Sequence, residues 1–167
     1  ETTKFLNSIH YTDEVIGKFI DDCKNQSWWK NTVIIITADH GIRFPKSETV
    51  IRDFKIPVLW LGGATEKNKG LVVDNLASQI DLSATLMKQL GWDTSVFPFS
   101  RDITDSTKNP FAFFSNSISF GFVQPGKYFI YDVKGKSVKE QQGNNTEHDI
   151  STGKALQQFI YNDYLKK

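Results

Sequence analysis

The residues of this chain with the clearest chemical potential are adjacent: Asp39 and His40, followed by Gly41, at the end of the run TVIIITADHGIRF. A carboxylate oxygen and an imidazole nitrogen side by side suit Zn²⁺ or Mn²⁺ better than a soft metal, with Ca²⁺ a further candidate. The glycine lets the backbone bend, so that neighbouring side chains can turn toward one ion. Two ligands cannot hold a catalytic ion tightly, so the others must come from elsewhere. The plain alternative is an aspartate capping a turn beside a histidine bonded to backbone, and a dipeptide alone does not decide between the two. Just beyond, Arg43 and Lys46 offer positive charge to an anionic ester, arginine through a bidentate fork, against the alternative of a solvated loop.

Other chemically suggestive residues carry less. His10 lies one turn from Asp13 and reads as a helix-surface pair. Cys23 is the single cysteine, which excludes an internal disulfide and a thiolate cage, and its position reads as a small buried hydrophobe. Thr37 shares a strand face with Asp39 and reads as structural. GFVQPGK matches the first seven positions of a phosphate-binding loop, but Tyr128 replaces the magnesium-binding hydroxyl residue and Pro125 removes a backbone donor. There is no G-x-S-x-G elbow.

The elements that must position Asp39 and His40 follow from periodicity. Leu6, Ile9, Ile16, Ile20 and Cys23, widened by Tyr11, Val15 and Phe19, predict a helix from about residue 3 to 24. Thr32 to Ala38 is a strand-length apolar run almost without alternation, the signature of a parallel strand covered on both faces. KIPVLWLGG repeats it, with Pro57 at the start and two glycines at the end. Asp39 and His40 then stand at the carboxyl end of a strand, where ligands collect in open α/β sheets. Asp81 can cap a helix carrying Leu82, Leu86 and Leu90, with Gly91 in the left-handed position after it. The aromatic stretch from Asn109, with Pro125-Gly126 suited to a type II turn, predicts an antiparallel meander. A last helix from about Ser151 presents Leu156, Phe159, Ile160 and Tyr164 and ends in Lys166 and Lys167.

The bulk numbers agree with one globular domain: 167 residues, 39% hydrophobic and 13% aromatic. With 20 basic and 19 acidic residues the net charge is +1, so no nucleic-acid or anionic-membrane surface is expected. No apolar run is long enough to span a membrane, and the N-terminus lacks a signal-peptide pattern. The chain opens on Glu1 rather than methionine, as a mature protein or an excised piece of a longer one would.

Taken in order, HYTDEVIGKFID, VIIITADHG, IPVLWLGG, QIDLSATLMKQLG and FAFFSNSISFGFVQPGKYFIYD resemble the C-terminal portion of the sulfatase-like enzymes of the alkaline phosphatase superfamily. The likeness is strongest to the lipoteichoic acid synthase and phosphoglycerol transferase branch and runs from about Ile9 to Asp132. It implies an α/β fold: part of a three-layer sandwich with a mainly parallel sheet (1–109), then an antiparallel meander and a C-terminal helix (110–167). It also implies that Asp39 and His40 ligate one catalytic divalent ion. That ion is shared with an upstream nucleophile, a threonine in this branch or a formylglycine in true sulfatases, which forms a covalent intermediate with the transferred group. Neither that nucleophile nor the first acidic ligand has a counterpart here; Cys23 lacks the C-x-P-x-R context, and the further histidine that many relatives have shortly after the Asp-His-Gly stretch is missing, Phe44 following Arg43 and the next histidine being His148. The implied function is cleavage or transfer of a phosphate or sulfate ester, with phosphoglycerol-type transfer favoured by an enzyme of which this chain is a part. The alternatives are an aryl or carbohydrate sulfatase and, in another class, a non-catalytic binding or structural module. The resemblance further implies an extracytoplasmic domain of a bacterial membrane protein, tethered through upstream segments. Metal should bind this stretch weakly or not at all, and uncovered apolar surface should make it self-associate.

Overall fold

The computed structural model describes residues 2–42, 44, 49–107 and 109–166. Arg43, Lys46 and Lys167 lie outside the described residues. The chain forms two compact units, Glu1–Leu71 and Val72–Lys167, and each is described by itself.

In the first unit α1 spans Thr2–Lys24, matching the expected helix within two residues. Its apolar stripe is closed only at the C-terminal end, where Ile20 and Cys23 are buried, while Leu6, Ile9, Val15 and Phe19 remain about half exposed. A turn of 3₁₀ helix, Trp29–Asn31, leads into β1, Ile34–Thr37; β2 is Val58–Leu61. The two strands pair antiparallel, from Ile34 opposite Leu61 to Thr37 opposite Val58, which corrects the parallel sheet expected from their sequences. The apolar run reports how much of a strand needs covering, whereas direction is set by how the chain returns. A parallel return takes a crossover, usually a helix, and the described residues between β1 and β2 hold only a 3₁₀ turn, Val50–Phe54. Nor are these strands sandwiched: Ile34, Ile35 and Ile36 are partly buried, and Val58 and Leu59 are exposed.

In the second unit α2 spans Asp81–Gln89. It ends as expected: Gly91 takes φ +73°, its N–H donates to the Lys88 carbonyl, and Trp92 N–H reaches the Met87 carbonyl at 2.9 Å. Four strands follow as the expected meander, β3 Ala112–Ser115, β4 Ser119–Gln124, β5 Lys127–Asp132 and β6 Ser137–Gln142, each antiparallel to the next. Gln124 pairs with Lys127 across the Pro125-Gly126 turn, in which Gly126 has φ +74°, so the phosphate-loop look-alike is a hairpin.

The core is aromatic. Phe120, Phe122, Phe129 and Tyr131 are buried between the sheet and α3, Glu147–Tyr164, with Phe111, Phe113, Val138, Ile150 and Leu156 around them. The helix starts earlier than Ser151 because Thr146 and Asp149 form a capping box. Of the face expected from the sequence, Leu156 packs on the aromatic layer and Ile160 is partly buried, while Phe159 and Tyr164 are exposed, and the buried Gly153 lies against the sheet. A Cβ there would lie 2.7 Å from Phe129 Cζ and 3.1 Å from Phe120 Cε2, so the helix can lie on the aromatic layer only through a glycine.

Candidate metal centre at the end of the first strand

β1 ends at Thr37, and after Ala38 the chain bends at Asp39 and His40. Both side chains reach solvent, His40 at 82% and Asp39 at 91% exposure, and they converge: His40 Nε2 lies 3.8 Å from Asp39 Oδ1. Bond lengths of about 2.0–2.2 Å to a tetrahedral ion place two of its ligands roughly 3.5 Å apart, so a small rotamer adjustment would let both atoms reach one cation. The other contacts are local. Asp39 Oδ1 accepts the His40 backbone N–H at 3.0 Å, and His40 Nδ1 donates to the Gly41 carbonyl at 2.7 Å. The arrangement thus has both ingredients of the plain reading, a turn-bonding aspartate and a backbone-bonded histidine. Beyond those bonds, both side chains are exposed and Nε2 lies on the side of the carboxylate.

Among the described residues no cluster of three or more His, Cys, Asp or Glu side chains could hold an ion. Asp39 and His40 stand as a pair, and their donor set fits a divalent ion completed by water or other ligands. Thr37 is exposed with its hydroxyl bonded to the Ala38 carbonyl at 3.3 Å. Beside the pair, Phe44 packs edge-on against Phe5 of α1 with ring centroids 4.9 Å apart, which ties the loop to the first helix.

The second unit has a more elaborate polar cluster that no periodicity announces. Asp81, expected as a helix cap, is 1% exposed, and the residue at the cap position is Ile80. The Asp81 carboxylate accepts the backbone N–H groups of Ser78 and Arg101, both at 2.8 Å, and pairs with the Arg101 guanidinium at 2.7 Å. Arg101 Nη2 also donates to the Phe111 carbonyl at 2.6 Å, and the guanidinium lies 3.6 Å over the Phe111 ring. The adjoining cleft, about 20 Å³, has room for roughly one water. Every strong acceptor direction of Asp81 is used, so the cluster anchors chain to chain and offers no reactive group.

Comparison with known proteins adds to this geometry. The family model described as Sulfatase matches residues 1–92, a stretch that contains α1, β1, the Asp39-His40 pair, β2 and α2. The chain belongs to the sulfatase family. Within that family it is similar to the lipoteichoic acid synthase-like protein YvgJ of Bacillus subtilis, 25% identical over 158 residues, covering 83% of this chain and 25% of the relative. It is equally similar to lipoteichoic acid synthase 2 of the same organism, 25% identical over 169 residues, covering 87% of this chain and 25% of the relative. A protein named Sulfatase from Formosa agariphila is 26% identical over 93 residues, covering 52% of this chain and 18% of the relative. This sulfatase-family chain therefore spans about a quarter of the length of these two curated relatives. No solved structure matches it.

Proposed function

We propose that this chain is the late part of a sulfatase-family enzyme and supplies Asp39 and His40 as two ligands of the catalytic divalent ion. The observation that carries the reading is the convergence of Asp39 Oδ1 and His40 Nε2 to 3.8 Å at the end of β1, inside the stretch matched by the family model. When bound, such an ion would lower the pKa of a nucleophile and screen the charge of a phosphate or sulfate ester. In this scheme Asp39 contributes one negative charge and a hard oxygen, and His40 a neutral nitrogen. The short bend after β1 keeps the two within reach of one another, and the nucleophile and remaining ligands come from the part of the enzyme outside these residues.

Phosphoglycerol-type transfer is favoured because the two relatives aligned over most of the chain are named for lipoteichoic acid synthesis. The relative named Sulfatase supports sulfate-ester hydrolysis as the second reading. Among the described residues no helix is long and apolar enough to cross a membrane, and an extracytoplasmic setting tethered through other segments is part of the proposal.

The test uses a longer chain that includes the upstream nucleophile and acidic ligand. Asp39→Asn and His40→Ala should lower bound metal and turnover of a nitrophenyl phosphate ester together, whereas these 167 residues alone should show no turnover. Full metal content with unchanged turnover in both variants would overturn the assignment.

A further inference from the structure

We propose that Gly41 is a positioning residue that sets the tautomer of His40, so that the imidazole presents a bare Nε2 toward Asp39. The proposal rests on reading Asp39 and His40 as metal ligands. It goes further in naming which histidine nitrogen is offered and what keeps it so.

A neutral imidazole carries its proton on one nitrogen and its lone pair on the other, and only the nitrogen with the lone pair can ligate a metal. The choice follows from the hydrogen bond made by the opposite nitrogen. His40 Nδ1 lies 2.7 Å from the Gly41 carbonyl oxygen. A carbonyl can only accept, so Nδ1 must carry the hydrogen, and the lone pair falls on Nε2. That is the nitrogen lying 3.8 Å from the Asp39 carboxylate.

The Gly41 carbonyl is itself held. A Cβ on Gly41 would come within 1.9 Å of the Asp53 carbonyl oxygen, 2.7 Å of its carbon and 3.1 Å of the Lys55 carbonyl oxygen. The main chain at residue 41 therefore lies directly on the backbone of the 3₁₀ turn Val50–Phe54 and the residue after it. Any side chain at this position would push the two backbones apart and swing the carbonyl away from the ring. The requirement for glycine here is close approach and not a left-handed φ, since Gly41 is absent from the residues with positive φ. Turn, glycine and imidazole form a relay in which the backbone after β1 decides which face of His40 can meet an ion. A neutral hydrogen bond of this kind biases the tautomer ratio by about fivefold, affinity that would otherwise be lost to the wrong form.

The test is made on the metal-free, ¹⁵N-labelled 167-residue chain at a pH where its three histidines are neutral, by long-range ¹H–¹⁵N correlation of the ring nitrogens. His40→Gln identifies the His40 signals among those of His10 and His148. The expected result is a His40 tautomer ratio shifted about fivefold toward Nδ1–H from that of an unconstrained imidazole in water, whose preference is Nε2–H. Gly41→Ala should shift that ratio about fivefold or more toward Nε2–H. A wild-type His40 with the tautomer ratio of an unconstrained imidazole overturns the proposal, as does a folded Gly41→Ala chain that keeps the wild-type ratio. Should Gly41→Ala fail to fold, the wild-type spectrum still decides. Titrating Zn²⁺ into the same sample separates the two layers. Loss of the His40 Nε2 lone-pair shift upholds the metal reading together with the positioning. An Nδ1–H ring indifferent to zinc upholds the positioning and sinks the metal reading, and zinc bound at Nδ1 overturns the positioning alone.

Discussion

Asp39 and His40 are exposed, while Asp81 and Arg101 are locked into backbone and each other, so the first pair is open to solvent and the second is committed to the fold. A ligand must keep its donor atoms free for an ion; an anchor uses all of them. Zinc binding to the isolated chain should accordingly be weak, and His40→Ala should lower it by about tenfold or more in isothermal titration. Asp81→Ala should act on stability alone. It leaves the Arg101 guanidinium and two backbone N–H groups without their acceptor, a loss of about 3 kcal/mol that urea unfolding followed by circular dichroism would read. A change below about 1 kcal/mol would show that water replaces the carboxylate with ease.

At the scale of elements, the helix α3 is specified by its first turn and by one glycine. The Lys127 ammonium, at 2.6 Å, and bonds from the Thr146 backbone and hydroxyl hold the Asp149 carboxyl down to about 2. Because the folded value lies below the unfolded one, this contribution is fully present above about pH 4 and is lost as pH falls toward 2. Asp149→Asn should be less stable than wild type at neutral pH and should lack that part of the acid-side decline in melting temperature. Thr146→Ala should cost about 1 kcal/mol through the lost cap. Gly153→Ala poses propensity against packing. Alanine favours the helix by about 1 kcal/mol, but its Cβ meets the ring of Phe129, which is 0% exposed and has nowhere to move. Overpacking should win, with a net loss of about 1–2 kcal/mol in thermal unfolding, and a stabilised variant would refute the close approach.

For the molecule as a whole, the notable feature is how much apolar surface the first unit leaves uncovered. Leu6, Ile9 and Phe19 of α1 are each at least half exposed, and Leu59 of β2 is too. Both edges of the β1-β2 ladder are also free of further strands among the described residues. Such surface needs a partner, and in these 167 residues alone another copy of the chain is the partner at hand. Light scattering should show mass rising with concentration, and Leu6→Lys with Phe19→Lys should reduce that rise. A monodisperse monomer over a wide concentration range would count against it.

Local chemistry made several features readable from residue order alone: the extent of α1, the Schellman end at Gly91, the Pro125-Gly126 hairpin, the meander and the family likeness built around Asp39 and His40. Each depends on neighbours a few positions apart, where periodicity and turn preferences act directly. What tertiary structure alone decided was relational. Strand direction could not be read from Ile34–Thr37, because an apolar run records burial and not the path by which its partner returns. The pairing of Asp81 with Arg101, 20 residues away, leaves no periodic trace, and the face α3 turns to the sheet combines Gly153 with Ile150 and Leu156 while leaving Phe159 exposed. The Asp39-His40 pair spans both kinds of information. Its residue types announce a ligand chemistry, but the 3.8 Å between the two atoms and the packing of Gly41 on the backbone of the 3₁₀ turn, a contact between segments, are not revealed by sequence separation.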